Sequence, residues 1–258
     1  MIYRLLGSGL KKTQSKYFNN GSGMTVMEML EGSEYSSMSA AELLGRTLND
    51  VEAKHAPKIL YLKGPMEIPL PRPRVSIIGT RQPSPDGLQA TKTFARTLVE
   101  KQTVIVSGLA KGIDTAAHKT AIMMGGKTIA VIGTSLNKAY PRENAELQQE
   151  IMSKHLVISQ FPVGYPTTRK NFVIRNRTMA LISDATIIVE AGNTSGSLHQ
   201  CWETLRLGRP LFIWKSVFDN AKLTWPKEML EYGAMKLSNL EEIFEFLPSH
   251  LAMPDLFH

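Results

Sequence analysis

The chain has 258 residues, 43% of them hydrophobic, with 30 Lys and Arg against 23 Asp and Glu for a formal net charge of +7. That length and apolar content suit one large α/β domain with a small appendage, and the basic balance favours a polyanionic partner without selecting one, because the acids are interspersed. A single cysteine, Cys201, excludes an internal disulfide framework and paired-cysteine zinc sites, no apolar run approaches the roughly 20 residues that span a bilayer, and the start lacks a signal-peptide pattern, so a cytoplasmic location is expected.

Residues 1–54 are expected to form an N-terminal extension, 55–250 the main domain and 251–258 a frayed tail. Asn19-Asn20-Gly21-Ser22-Gly23 punctuates the extension, residues 1–23 are expected to be loosely held, and Met24 is a candidate alternative start. Thr25 with Glu28 and Ser39 with Glu42 fit the S/T-x-x-E capping box, so each pair predicts a short helix. From Lys58 the texture changes. Ile59 to Leu62 reads as a strand, and Pro65 to Pro73 is a connection no helix could cross.

Strands then alternate with helical patterns: Val75 to Gly79, followed by Leu88, Thr91, Ala95 and Leu98 at helical spacing, and Thr103 to Val106, followed by the turn Ser107 to Asp114 and an alanine-rich helix. Thr128 to Gly133, Leu156 to Ser159, Thr186 to Glu190 and Pro210 to Trp214 continue the series, and a last helix is predicted over about 238–247. Near-continuous Val/Ile runs indicate strands covered on both faces. The expected fold class is therefore α/β, a doubly wound and mostly parallel sheet of extended Rossmann-like type with a short N-terminal helical segment.

In such a sheet four glycine-rich or polar loops share the carboxyl edge: Gly79-Thr80-Arg81, Ser107 to Asp114, Gly133-Thr134-Ser135 and Gly192 to Ser197. In the second loop, Ser107, Gly108 and Gly112 introduce a helix whose N–H groups and dipole suit a phosphate, with the glycines admitting it to the backbone. A fifth segment, Arg169 to Arg177, gathers Arg169, Lys170, Arg175 and Arg177 around Phe172. Guanidinium forks onto phosphates and a ring that stacks any base suit single-stranded nucleic acid better than a mononucleotide.

Other chemistries fit poorly. No strand-to-helix turn carries G-x-G-x-x-G, no serine sits in G-x-S-x-G, and Gly126-Lys127-Thr128 lacks the first Walker A glycine, with Ala121 in its place. Asp114 and His118 stand one helical turn apart with no second pair, and His199 and Cys201 face different ways, so neither metal nor cofactor is expected.

Gly79-Thr80-Arg81, SGLAKGIDTAAH from Ser107, Gly126 to Val131, Tyr140-Pro141, Phe172 with Arg175-Asn176-Arg177, and Glu190-Ala191 with Ser195 to Leu198 together resemble the bacterial DNA-processing protein A (DprA/Smf) family, in order from about Pro57 to about Trp214. The resemblance implies a single-stranded DNA-binding, dimeric protein without catalytic residues, acting in DNA uptake and recombination and loading a RecA-type recombinase. It implies that Arg81 and Lys111 line a basic groove and that Phe172 stacks a base. Of Arg175 and Arg177, one arginine is implied to bond buried carbonyls or carboxylates, while Ser195, Gly196 and Ser197 offer helix-end donors. The chain departs from the family pattern at Gly133 to Asn137, Ser159-Gln160 and Trp214-Lys215, and is expected to be a reduced member without the C-terminal winged helix. The competing reading is a nucleotide phosphoribohydrolase resembling the LOG nucleosidases, with Glu203 assisting glycosidic cleavage.

Overall fold

The alternation of apolar runs and helical patterns becomes one sheet in the computed structural model, which describes residues 35–248. Its strands are β1 (Ser36–Met38), β2 (Leu60–Lys63), β3 (Arg74–Ile78), β4 (Val104–Ser107), β5 (Thr128–Ile132), β6 (Leu156–Ser159), β7 (Ala185–Ile188), β8 (Leu211–Trp214) and β9 (Met235–Leu237). They lie in the order β1, β2, β6, β5, β4, β3, β7, β8, β9. Every pair from β6 to β9 is parallel, whereas β2 is antiparallel to both β1 and β6.

The uninterrupted apolar runs have a direct cause: alternate side chains point to opposite faces, and both faces are covered. Val75, Ile77, Ile105 and Ile187 pack under α3 (Pro85–Glu100) and α4 (Ile113–Met123) through Phe94, Leu98, Ile113 and Ala117. Ile78, Val104, Val106 and Ile188 join the opposite cluster with Met179 and Ile182 of α6 (Arg169–Ile182), Cys201 of α7 (Ser197–Arg206) and Trp225 of α8 (Trp225–Glu231). α5 (Ala145–Lys154) leads into β6.

The Ser39–Glu42 box opens α1 (Ala40–Leu44) as its spacing predicts, with both reciprocal bonds present. The helix predicted from Thr25 and Glu28, the loosely held residues 1–23, Met24 as a start and the tail 251–258 lie outside the described residues. Residues 36–53, which the sequence assigns to an extension, supply β1, α1 and α2 (Asp50–Ala53) to the same packed body, and Leu43 and Leu44 enter its core. The tail differs from expectation. Residues 240–245 form a 3-10 helix, opened by an Asn239–Glu242 box, instead of an α-helix over 238–247. Pro248, just beyond, disfavours helical geometry at Leu247. Leu240 and Ile243 are nonetheless buried as their spacing demands.

From β3 the chain winds through β4, β5 and β6 to one side, then through β7, β8 and β9 to the other. The crevice beyond the carboxyl ends of β3 and β7 is therefore the topological switch point, where open α/β sheets bind ligands.

Charge pins residues 46–53 to the sheet. The buried Glu52 carboxylate accepts from Arg46 at 2.6 and 2.7 Å and from Arg209 at 2.8 Å, while Arg206 donates to the Val51 carbonyl. The Arg46 hydrogen bond, reinforced by Asn49 N–H and Arg209, pulls the Glu52 carboxyl from its ordinary 4.5 down to about 2. A depressed folded-state value means stability that is present above pH 4.5 and is lost as pH falls through about 2. We expect Tm to fall across that window in thermal unfolding, and Glu52→Gln to start lower and show a flatter acid limb.

Candidate nucleic-acid interface

Two adjoining clefts open on the carboxyl edge of the sheet. The larger, about 650 Å³, lies at the switch point between the Gly79–Arg81 and Gly192–Ser197 loops, with Arg169, Phe172 and Asn176 of α6 along one wall. The smaller, about 290 Å³, is lined by Arg81, Gln82, Lys111, Tyr140, Pro141 and Phe172, among others. Arg81, Tyr140, Phe172 and Arg175 belong to both. Arg81 and Lys111, which come from different strand ends, thus face one cavity, with the Tyr140 and Phe172 rings 5.1 Å apart beside them.

The phase of α6 sorts the basic-aromatic segment. Arg169, Phe172, Val173, Asn176 and Met179 recur at helical spacing and line the larger cleft. Lys170, Ile174 and Arg177 form a separate stripe, exposed to solvent and outside both clefts. Lys170 and Arg177 are therefore not brought to the site with Arg169 and Phe172. Arg81 and Arg169 carry no hydrogen bond or ion pair among the described residues, which leaves their guanidinium groups available.

Arg175 does the opposite. It is buried, and its Nη1 donates to the carbonyls of Gly108 and, at 2.6 Å, of Val131, crossing from α6 to the ends of β4 and β5. Burial lowers its pKa to about 10, opposed by the charge of Asp114. Asp114 is itself buried and pushed up by desolvation, with Arg175 and the Ala110 N–H at 3.3 Å pulling it back. Of the two arginines in Arg175-Asn176-Arg177, the structural one is Arg175.

The Ser107–Asp114 turn is likewise engaged with the protein. Ser107 Oγ donates to the Ile77 carbonyl, and a side chain at Gly108 would strike the Arg175 guanidinium. Gly112 has φ +78° and presses on the Thr80 carbonyl and Arg81 backbone, while Ile113 N donates to Thr80 O at 3.3 Å. These glycines admit neighbouring protein, while Gly108, Ala110 and Lys111 of the same turn line the smaller cleft. Asn144 clamps the same turn through Leu109 O, Ala110 O and Thr115 Oγ1.

Thr194, Ser195, Gly196 and Ser197 line the larger cleft as the loop spacing suggests. Ser197 Oγ donates to Gly79 O at 2.9 Å and so ties the two loops together, while Ser195 Oγ accepts from Ser197 N. Gly133-Thr134-Ser135 lies outside both clefts: the Phe172 ring covers Gly133, and Thr134 and Ser135 bond within their own loop. His118 is a packed core histidine, its Nδ1 2.7 Å from Thr128 Oγ1 and its pKa driven to about 3 by burial. Among the described residues no group of three or more His, Cys, Asp or Glu could hold a metal ion, and no helix is long and apolar enough to cross a membrane.

Sequence reasoning missed three contributors. Tyr140 was visible as a loop residue and as part of a family motif but without a role, and Asn144 and Gln200 not at all. Gln200 is fully buried against the larger cleft, with neither amide atom bonded by the protein among the described residues.

Proteins of known structure share this fold. The family described as DNA recombination-mediator protein A matches residues 33–248. DNA processing protein DprA of Streptococcus pneumoniae is 43% identical over 161 residues, 62% of this chain and 56% of that relative. Its Bacillus subtilis counterpart is 33% identical over 192 residues, 74% of this chain and 65% of that protein, so the chain spans under two thirds of either. The X-ray structure of the Streptococcus pneumoniae protein superposes with a TM-score of 0.72 at 32% identity, covering 87% of this chain and 78% of that one. DNA processing protein A from Helicobacter pylori, whose structure addresses a unique single-stranded DNA binding mode, gives 0.68 at 30% identity, covering 83% and 95%.

The contrast between Arg175 and the rim cations is measurable. Arg175→Met leaves two carbonyls without their donor and Asp114 without its countercharge, and is expected to lower stability in urea unfolding by about 3–5 kcal/mol. Arg81→Ala and Arg169→Ala, at exposed positions, should stay within about 0.5 kcal/mol of the parent.

Proposed function

The chain belongs to the DNA recombination-mediator protein A family, and from that premise we propose that it binds single-stranded DNA along the carboxyl rim of its sheet without cutting it. The observation that carries this reading is the convergence of Arg81, Lys111 and Arg169 on clefts that share the Tyr140–Phe172 ring pair. Cations neutralise successive phosphates, and a ring pair offers a face to a base that is free of a duplex stack. A double helix keeps its bases paired inside and cannot present one to rings set within a cleft. Arg175 acts behind the surface, holding the strand ends that carry the rim loops.

The acid that lines the larger cleft, Asp114, accepts from Ala110 N–H and lies in the field of the Arg175 charge, which supports binding over hydrolysis. The nucleosidase alternative loses its carboxylate: Glu203 accepts from Arg206 at 2.5 and 3.0 Å and is absent from both cleft linings. By the same reading, the protein protects single strands during DNA uptake or recombination in the cytoplasm, as a homodimer that delivers the strand to a RecA-type recombinase.

Fluorescence anisotropy with labelled single- and double-stranded oligonucleotides tests the binding. Arg81→Ala and Arg169→Ala should weaken single-strand affinity evenly across sequences and reduce the salt slope by about 1 each. Phe172→Ala should cost about 1–3 kcal/mol. Equal affinity for duplex and single strand, untouched by these changes, is the result that overturns the proposal.

A further inference from the structure

Among the described residues, Lys111 is the one rim cation of the three with a partner. Its Nζ lies 2.5 Å from Glu143 Oε1, although both side chains are more than half exposed, 53% and 64%. Glu143 stands in the 3-10 turn Arg142–Asn144, directly after Tyr140 and Pro141; it lies outside both cleft linings, on the neighbouring cavity between α4 and α5, and meets the smaller cleft only through Lys111. Its position is set from beneath. The next residue, Asn144, is buried and bonded to the Lys111 loop through Leu109 O and Ala110 O. The ion pair in turn holds the Glu143 carboxyl below its ordinary value.

We infer that Glu143 occupies the seat of a strand phosphate at Lys111, acting as a built-in competitor that the incoming strand must displace. The inference rests on the binding reading above and extends it to a residue that touches no base. A carboxylate oxygen against an ammonium presents the same charge and the same acceptor as a non-bridging phosphate oxygen. Exposed pairs of this kind are weak, so a phosphate delivered next to Arg81 can replace it. The displaced carboxylate then stands beside the strand and gathers a cation from solution. This offsets part of the counterion release and makes the salt dependence shallower. Glu143 thereby limits affinity and keeps the strand exchangeable.

The test is anisotropy titration of the full chain with a labelled oligo-dT at several salt concentrations, comparing the parent, Glu143→Gln, Lys111→Met and the double variant. Glu143→Gln should tighten binding by up to about fivefold and steepen the salt slope. Lys111→Met should weaken binding, and the added Glu143→Gln should then tighten it less than it does in the parent, because the competitor acts mainly through Lys111. Unchanged or weaker binding by Glu143→Gln overturns the inference alone, as does a tightening that persists in full without Lys111, which marks general repulsion. A parent protein with no affinity for oligo-dT overturns both this inference and the binding reading.

Discussion

One buried guanidinium holds the working edge of this molecule together. Arg175 reaches from α6 to the carbonyl of Gly108, just past the end of β4, and to that of Val131, near the end of β5. Such acceptors are costly to bury unpaired, and a charged donor satisfies them more strongly than a neutral one. Asp114 supplies the countercharge from the first turn of α4. Helix α6, which bears Arg169 and Phe172, is thereby fixed against the strand ends, and the clefts exist because this joint does.

The division of labour follows from burial. Cations that reach solvent keep their hydration and can trade it for phosphate, whereas a cation sealed inside must spend its donors on protein. Arg81 and Arg169 are of the first kind and Arg74 of the second, while Arg175 bonds the protein through Nη1 and also lines both clefts. Arg74 donates to Ile182 O at 2.5 Å, Leu70 O at 2.9 Å and Pro71 O at 3.1 Å, closing the opposite edge of the sheet.

The fold was legible because strand chemistry is local. Val104-Ile105-Val106 and Ile187-Ile188 announce two covered faces, since no half-exposed strand tolerates apolar residues at consecutive positions. The site was legible only in part. Arg175 and Arg177 are two residues apart in one motif, and which of them faces inward depends on the rotation of α6 against the sheet, which no local pattern contains. Gly108 and Gly112 look alike whether a ligand or a neighbouring chain segment needs the space. Here Arg175 and the Thr80–Arg81 backbone fill it. Glu143 reads as any surface acid until Asn144 is seen to anchor its turn. The shortened 240–245 helix is a failure of another kind, in which the apolar spacing was right and the backbone geometry tighter.

The margins of the sheet carry a consequence for assembly. Among the described residues, both outermost strands, Ser36–Met38 and Met235–Leu237, are three residues long. So short a margin exposes too few backbone groups to template another chain. Across these two margins any contact with a second copy falls to side chains, which leaves it open to tuning by single substitutions in a way that backbone pairing is not.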